Sequence, residues 1–205
     1  MNQDTLTKLL TDVAQGGRTV EEAAALLKHL SMEDISYANI DHHRGLRKGF
    51  PEVIFGQGKT AAQIIGIMER MAVQEHVILA TRVEADKAAL ILSAFPDAEY
   101  HDDARMVIWK TREPSITGNG LVLVLSAGTS DIPVANEAAL TAKMMGNRVE
   151  TVFDVGVAGI HRLFRHRALI EEAAVLVVVA GMEGALPSVV AGMVQAPVIA
   201  VPTSV

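Results

Sequence analysis

The sequence contains no cysteine among its 205 residues. Disulfide bonds, cysteine-ligated zinc sites and thiol catalysis are therefore excluded for this chain. An excess of positive charge is also missing, because 18 lysines and arginines face 24 aspartates and glutamates. General binding to nucleic acid or to an anionic membrane consequently has no support.

A long hydrophobic run is missing as well. The longest apolar stretch, 173–182, is about half the length that a membrane-spanning helix needs. No signal peptide is visible at the N-terminus, so we expect a cytoplasmic protein. Half of the residues are hydrophobic and 20% are charged, which is typical of a soluble globular protein.

Apolar residues recur at helical spacing in some segments and form short continuous runs, typical of buried strands, in others. The predicted helices are 5–14, 20–30, 60–73, 84–95, 131–145, 160–174 and 186–195, and the predicted strands are 52–55, 77–81, 99–109, 121–125, 149–153, 175–180 and 197–201. This alternation predicts an α/β fold with a doubly wound parallel sheet. The turn-rich segment PSITGNG, 114–120, indicates a boundary between a smaller α+β domain at 1–115 and a domain at 119–205.

The stretch PEVIFGQGKT, 51–60, resembles a phosphate-binding P-loop at its end. The P-loop pattern requires a glycine where this sequence has Val53, so the main support for ATP hydrolysis is removed. Thr60 and Gln63 have the spacing of a capping box, which favours a strand-to-helix turn. In the alternative interpretation, Lys59 or Arg47 contacts a substrate.

Three short glycine-bearing loops follow the predicted strands of the second domain, at 126–131, 154–162 and 181–188. Ligands of open parallel sheets bind beyond the carboxyl ends of the strands. Glycine lets backbone amides approach a phosphate, and the N-terminus of the following helix adds partial positive charge. The loops could therefore hold one nucleotide-like anion, although such turns also occur throughout α/β proteins for structural reasons alone.

The first loop is rich in hydroxyl groups. Ser126, Thr129 and Ser130 can donate hydrogen bonds to phosphate oxygens, while Ser130 or Asp131 can equally serve as the N-cap of the next helix.

The other two loops carry charged residues. Asp154 follows an apolar strand. It is either a functional residue or a structural residue of the turn. His161 and Arg162 lie in a first helical turn, where the helix dipole disfavours positive charge. They either contact an anion or form a solvated helix surface. Glu183, between two glycines, is either a general base or a partner of the helix dipole.

Four segments together resemble the LarB family of nickel-pincer cofactor biosynthesis proteins. They are DHHRGLRKGFPEVIFGQGKT, SAGTSD, DVGVAGIHRL and VVVAGMEGALPSVVAG. Residues from about 119 to 205 are also similar to the PurE-type fold of aminoimidazole ribonucleotide carboxylases and mutases. The resemblance implies a PurE-like, Rossmann-like three-layer domain after the N-terminal domain.

The resemblance also implies an activity. LarB proteins carboxylate the pyridinium ring of nicotinic acid adenine dinucleotide and cleave its phosphoanhydride, which releases AMP and gives pyridinium-3,5-biscarboxylic acid mononucleotide. CO2 or bicarbonate is the co-substrate, and Mg2+ is expected near the phosphates. The nickel belongs to the finished cofactor, so this protein is not expected to bind it. A PurE-like homo-octamer is expected.

The resemblance assigns roles to residues of all these segments. Glu183 matches the family's catalytic glutamate, and Asp154 is a second candidate for proton transfer or for holding water or metal. The remaining candidates contact substrate or phosphate in the second domain or extend that contact from the first. They are Ser126, Gly128, Thr129, Ser130, Asp131, His161, Arg162, Gly181 and Gly184, followed by Arg47 and Lys59.

Two departures leave other functions open. The family uses a cysteine nucleophile in a segment after these loops, whereas this sequence has none and stops at Val205. We therefore expect a truncated chain that binds substrate but lacks the covalent step. Glu183 replaces the PurE histidine of the third loop, which argues against purine carboxylation. Another nucleotide carboxylase or mutase, or a non-catalytic nucleotide-binding protein, remains the alternative.

Overall fold

The computed structural model describes residues 3–27 and 33–204, and the chain divides into two compact units. The first unit comprises Met1–Tyr100 and Met106–Arg112, and the second comprises His101–Arg105 and Glu113–Val205. Within the described ranges, every helix is too short or too polar to cross a bilayer.

The first unit combines helices with a mixed sheet. Strand β3 pairs in parallel with β4, which pairs antiparallel with β6, and the sheet order is β3-β4-β6-β5. Strands β1 and β2 form a separate antiparallel pair. The helices are α1 Gln3–Ala14, α2 Val20–Leu27, α3 Arg44–Lys48, α4 Ala61–Met71 and α5 Ala85–Ala94, and the strands are β1 Glu33–Asp34, β2 Asn39–Ile40, β3 Val53–Phe55, β4 Val77–Thr81, β5 Glu99–His101 and β6 Met106–Lys110.

The capping box predicted before α4 is present. The Gln63 amide donates to Thr60 Oγ1 at 3.2 Å, and the Thr60 amide donates to Gln63 Oε1 at 2.9 Å. Ile64 and Met68 of this helix are fully buried in the core of the first unit. Gly56 is required just before it, because a Cβ there would lie 2.7 Å from the carbonyl oxygen of Thr81.

One sequence prediction at the border between the two units is wrong. The predicted strand 99–109 is interrupted by a 3₁₀ turn at Asp102–Ala104, and Arg105 then takes a left-handed conformation with φ 50°. The polar segment 41–49 contains the short helix α3, which the sequence did not indicate. Residues 28–30 of the predicted second helix lie outside the described residues.

The second unit contains a sheet of four parallel strands in the order β10-β9-β7-β8. This arrangement confirms the doubly wound parallel sheet and the PurE-like fold class. The strands are β7 Leu121–Ser126, β8 Arg148–Val152, β9 Val175–Ala180 and β10 Val198–Pro202, and the helices are α6 Ile132–Met144, α7 Ile160–Phe164, α8 Arg167–Glu172 and α9 Ala185–Ala191.

Helices cover both faces of this sheet. Leu123 and Leu125 of β7 pack on one face with Leu163, Ile170 and the α9 side chains. Val124 points to the opposite face, where it packs with Ala135 and Ala139 of α6. Successive side chains of a strand alternate between faces, so the apolar run 121–125 of β7 is explained by burial on both sides.

The 3₁₀ turn at Asp102–Ala104 belongs to the second unit although its flanking strands lie largely in the first. The Asn136 side chain of α6 donates to Asp103 Oδ2 at 2.6 Å and ties the turn to this helix.

The predicted helix 160–174 is wrong as a single element. It is two short helices, α7 and α8, because the chain turns at His166, whose amide donates to Leu163 O at 3.0 Å. Leu163 and Ile170 are fully buried, whereas Phe164 is 53% exposed. The apolar spacing continues across this break, and neither glycine nor proline marks it in the sequence.

Candidate nucleotide site at the carboxyl ends of the parallel strands

The strand order creates a topological switch point between β7 and β9. The chain passes from β7 to β8 on one side and then crosses to β9 and β10 on the other. The connections that leave β7 and β9 therefore diverge, and a crevice opens beyond their carboxyl ends. Two of the predicted loops, 126–131 and 181–188, flank this crevice.

The loop after β7 is fixed by its own backbone. The Ala127 amide donates to Val179 O of β9 at 2.9 Å, and the Asp131 amide donates to Gly128 O at 3.2 Å. Thr129 and Ser130 are exposed, and in the described part of the chain their amides donate to no acceptor. These two residues are therefore the ones through which the loop can offer hydrogen bonds to a ligand.

Asp131 lies beneath this loop and is only 3% exposed. Its Oδ2 accepts from the Gly128 amide at 2.9 Å, and its Oδ1 accepts from Thr203 Oγ1 at 2.6 Å. The residue occupies the N-cap position of α6, one of the alternatives that the sequence left open. A direct contact between Asp131 and substrate stays a prediction.

Ser126 supports the neighbouring loop from inside. Its side chain is fully buried, and its hydroxyl oxygen accepts from the Asp154 amide at 3.3 Å. Its carbonyl oxygen accepts from the Val155 amide at 3.1 Å. Direct binding of phosphate by Ser126 stays a prediction, since the hydroxyl here joins the ends of β7 and β8.

The loop after β8 holds an ion pair between two predicted site residues. Asp154 adopts a left-handed conformation with φ 57°, and its Oδ2 accepts a short hydrogen bond from Arg162 Nη1. Both side chains are partly exposed, at 48% and 37%. His161, on the same turn of α7, is exposed to solvent.

Two glycines allow this loop to pack closely. A Cβ at Gly156 would lie 2.8 Å from the carbonyl oxygen of Ala127, to which the Gly156 amide also donates. A Cβ at Gly159 would lie 2.6 Å from Arg162 Nε. The Arg162 side chain thus folds back over a bare backbone to reach Asp154.

The loop after β9 presents Glu183 to solvent. The Gly184 amide closes a turn by donating to Gly181 O at 3.0 Å. Met182 and Gly184 both have positive φ, 52° and 63°, and the Met182 side chain is 92% exposed. Glu183 makes no hydrogen bond or ion pair with the described residues, so its carboxylate is accessible to a ligand or proton donor.

Comparisons with known proteins match both parts of the chain. Residues 32–112 match the family described as the LarB/PurE-like N-terminal domain, and residues 121–205 match the family described as AIR carboxylase. An uncharacterised protein of Methanocaldococcus jannaschii is 39% identical over 207 residues, which cover 97% of this chain and 81% of that relative. The chain belongs to the LarB family. LarB and AIR carboxylase domains support a nucleotide carboxylase or mutase type of function, and hence an enzyme.

In this LarB protein, the two predicted N-terminal contacts lie in the first unit. Arg47 Nη2 pairs with Asp41 Oδ2 at 2.6 Å on an exposed surface. Lys59 Nζ donates to the Phe55 carbonyl oxygen at 2.9 Å and so closes the turn after β3. Both therefore have a structural partner, and their contact with substrate stays a prediction.

Metal-binding residues were considered separately. Across residues 3–27 and 33–204, no three His, Asp or Glu side chains form a group that could hold a metal ion. His42 Nε2 lies 2.8 Å from Glu33 Oε2, and the ring is buried.

Sequence reasoning missed several residues of the candidate site. Thr203 lies 72 residues after Asp131, and no local pattern connects the two. Gly156 and Gly159 lie in the segment DVGVAGIHRL, but only their tertiary contacts explain why glycine is needed at each position. The positive φ of Met182 was not predicted, although Gly181 and Gly184 on either side of it indicate a tight turn.

Proposed function

We propose that this protein carboxylates the pyridinium ring of nicotinic acid adenine dinucleotide and hydrolyses its phosphoanhydride. The products would be AMP and pyridinium-3,5-biscarboxylic acid mononucleotide, the precursor of the nickel-pincer cofactor. The observation that carries the proposal is the pair of family matches, with the LarB/PurE-like N-terminal domain over residues 32–112 followed by AIR carboxylase over residues 121–205. It is supported by loops at one edge of a parallel sheet that bear hydroxyls, an arginine and an accessible glutamate.

The chemistry explains why such a site needs a base. A pyridinium ring is electron-poor and does not attack CO2. Once a nucleophile adds to the ring, the neutral dihydropyridine has enamine character, and its fifth ring carbon forms a bond to CO2. Loss of the proton from that carbon and departure of the nucleophile restore the aromatic cation.

In this proposal Glu183 removes the ring proton. Its carboxylate is exposed beyond the end of β9 and has no partner among the described residues. A base must lie within hydrogen-bond reach of the proton that it removes, so an unpaired carboxylate on a turn held by Gly181 and Gly184 suits the task. CO2 or bicarbonate supplies the new carboxylate.

The phosphates are assigned to the other two loops. The amides and hydroxyls of Thr129 and Ser130 would donate to phosphate oxygens at the N-terminal end of α6. Arg162 would add a bidentate, charge-assisted contact if it exchanged the Asp154 carboxylate for a phosphate. His161, exposed on the same turn, would stay close to that anion.

Magnesium enters the proposal only as a companion of the pyrophosphate. When bound, Mg2+ neutralises phosphate charge and polarises the phosphoanhydride. The described residues form no three-ligand cluster for it, so no step is assigned to the ion. Nickel is not part of the proposal.

This sequence has no cysteine and therefore supplies no thiolate as the nucleophile. A non-catalytic protein that binds the dinucleotide is the second candidate, which the lack of a cysteine permits. A different nucleotide carboxylase or mutase is the third, favoured by the AIR carboxylase match over 121–205.

One assay separates the three. The protein, expressed from its complete gene, is incubated with nicotinic acid adenine dinucleotide, Mg2+ and bicarbonate, and the products are identified by mass spectrometry. AMP together with the dicarboxylated mononucleotide is the expected result. Tight binding without either product supports the non-catalytic candidate, and conversion of aminoimidazole ribonucleotide alone supports the purine-type enzyme.

A homo-oligomer, with the PurE-like octamer as the expected size, is part of the proposal on fold analogy alone. Light scattering coupled to size-exclusion chromatography measures it, and a monomer at micromolar concentration contradicts it.

A further inference from the structure

The Asp131 carboxylate connects two segments that are distant in sequence. Oδ2 accepts from the Gly128 amide within the loop after β7, and Oδ1 accepts from the hydroxyl of Thr203, which follows β10. Thr203 is itself fixed, because its amide donates to Ala180 O at 3.1 Å. One carboxylate thereby joins the carboxyl ends of β7, β9 and β10.

The position suits a negative charge. Asp131 stands at the N-cap position of the 13-residue helix α6, near its positive dipole end, although its carboxylate bonds back to Gly128 and not to the helix. Its two hydrogen bonds are charge-assisted, and such bonds are stronger than those between neutral groups. At 3% exposure the carboxylate has little solvent to replace a lost donor.

We propose that Asp131 and Thr203 are positioning residues for phosphate binding, an inference that rests on the proposed function. The Asp131–Thr203 hydrogen bond holds the carboxylate against the Gly128 amide. That contact fixes the backbone of the loop, so that the amides of Thr129 and Ser130 stay without an acceptor among the described residues and remain available to an anion. In this role Asp131 acts on the phosphate through the loop that it orders.

The inference assigns a function to a residue outside every motif that the sequence displays. Thr203 contributes no atom to the loop that it orders, and its contact with Asp131 depends on a single hydroxyl. Valine has nearly the same shape without the hydroxyl, and serine keeps the hydroxyl without the methyl group. The two substitutions thus separate hydrogen bonding from packing.

The test compares Thr203→Val, Thr203→Ser and Asp131→Asn with Thr151→Val, which changes an exposed threonine on β8. Isothermal titration measures the Kd for nicotinic acid adenine dinucleotide and, separately, for inorganic pyrophosphate. Hydrogen exchange measured by mass spectrometry follows the peptide that contains 127–131. Thermal melting verifies that each variant is folded.

We expect Thr203→Val and Asp131→Asn to raise both Kd values about tenfold and to accelerate exchange in the 127–131 peptide. Thr203→Ser should restore both properties, and Thr151→Val should leave them unchanged. A purely structural role would lower the melting temperature without this rescue or this change in Kd.

Unchanged exchange in Thr203→Val overturns the positioning role, whatever the binding data show. Accelerated exchange with unchanged Kd values also overturns it, because the loop would then not act on the anion. If the wild-type protein binds neither probe, the proposed function fails instead, and the exchange experiment still decides whether Thr203 orders the loop.

Discussion

Arg162 on α7 forms an ion pair with Asp154 at the end of β8, across a loop that contains Gly159. The guanidinium is held by one carboxylate oxygen and remains 37% exposed, so it is both oriented and accessible. The left-handed backbone of Asp154 costs free energy on its own, and the ion pair is one contact that offsets this cost. Under the proposed function, a substrate phosphate would compete with Asp154 for the Arg162 guanidinium.

Arg162→Ala should weaken the binding of nicotinic acid adenine dinucleotide by about 10- to 100-fold, since a charge-assisted phosphate contact is lost. Arg162→Lys should recover only part of this affinity, because an ammonium group lacks the planar fork of a guanidinium. Isothermal titration measures the effect. Arg165→Ala, which changes an exposed arginine nearby, is the matched control. Equal affinity in Arg162→Ala would remove this residue from the binding site.

Glu183→Gln should preserve nucleotide binding and lower carboxylation at least about 100-fold, because glutamine has nearly the same shape but cannot accept the ring proton. Product formation is measured by mass spectrometry and affinity by titration. Glu150→Gln, on an exposed position of β8, is expected to leave both unchanged. Turnover at the wild-type rate in Glu183→Gln would show that another group is the base.

Thr60→Ala should lower the free energy of unfolding by about 1 kcal/mol, because both hydrogen bonds of the capping box depend on Thr60 and Gln63. Chemical denaturation measures this change, and Thr60→Ser should recover most of it. The wild-type protein should show no ATPase activity, since Val53 breaks the P-loop pattern. ATP hydrolysis that is lost in Lys59→Ala would contradict the structural interpretation of this turn.

Gly156→Ala should destabilise the protein by about 1–3 kcal/mol, because its new methyl group would lie 2.8 Å from the Ala127 carbonyl oxygen. Gly128→Ala offers a contrast within the same region. Its added Cβ meets nothing closer than 3.6 Å, so its melting temperature should stay near that of the wild type. Equal melting temperatures for the two variants would show that the close packing of Gly156 against Ala127 does not contribute to stability.

Strands β7 and β9 of the second unit could be predicted because each contains an apolar run that is largely buried, whereas β8 and β10 are more exposed. β9 begins at Val175 and ends at Ala180, as the run itself indicates. The break at His166 could not be predicted, since a turn without glycine or proline leaves no local mark. It follows from packing, in which Leu163 and Ile170 must both reach the core.

The location of the candidate site could be predicted because its residues lie in loops that follow strands of one parallel sheet. Glu183, Arg162 and Thr129 each follow a strand of one parallel sheet, so their proximity to the same edge follows from topology. What each side chain contacts did not follow, as Asp131 illustrates. Its partner Thr203 is placed by the pairing of β10 with β9, a contact between distant segments.

The assignment of His101–Arg105 to the second unit has a practical consequence for dissecting the protein. The chain passes from the first unit to the second, returns at Met106, and leaves again after Arg112. A single cut in the polypeptide, whether by a protease or by a cloning boundary, cannot release either unit complete. A fragment that starts at Glu113 would lack Asp103, the hydrogen-bond partner of Asn136 on α6. Fragments of this enzyme should therefore be made by circular permutation or studied as nicked, non-covalent complexes.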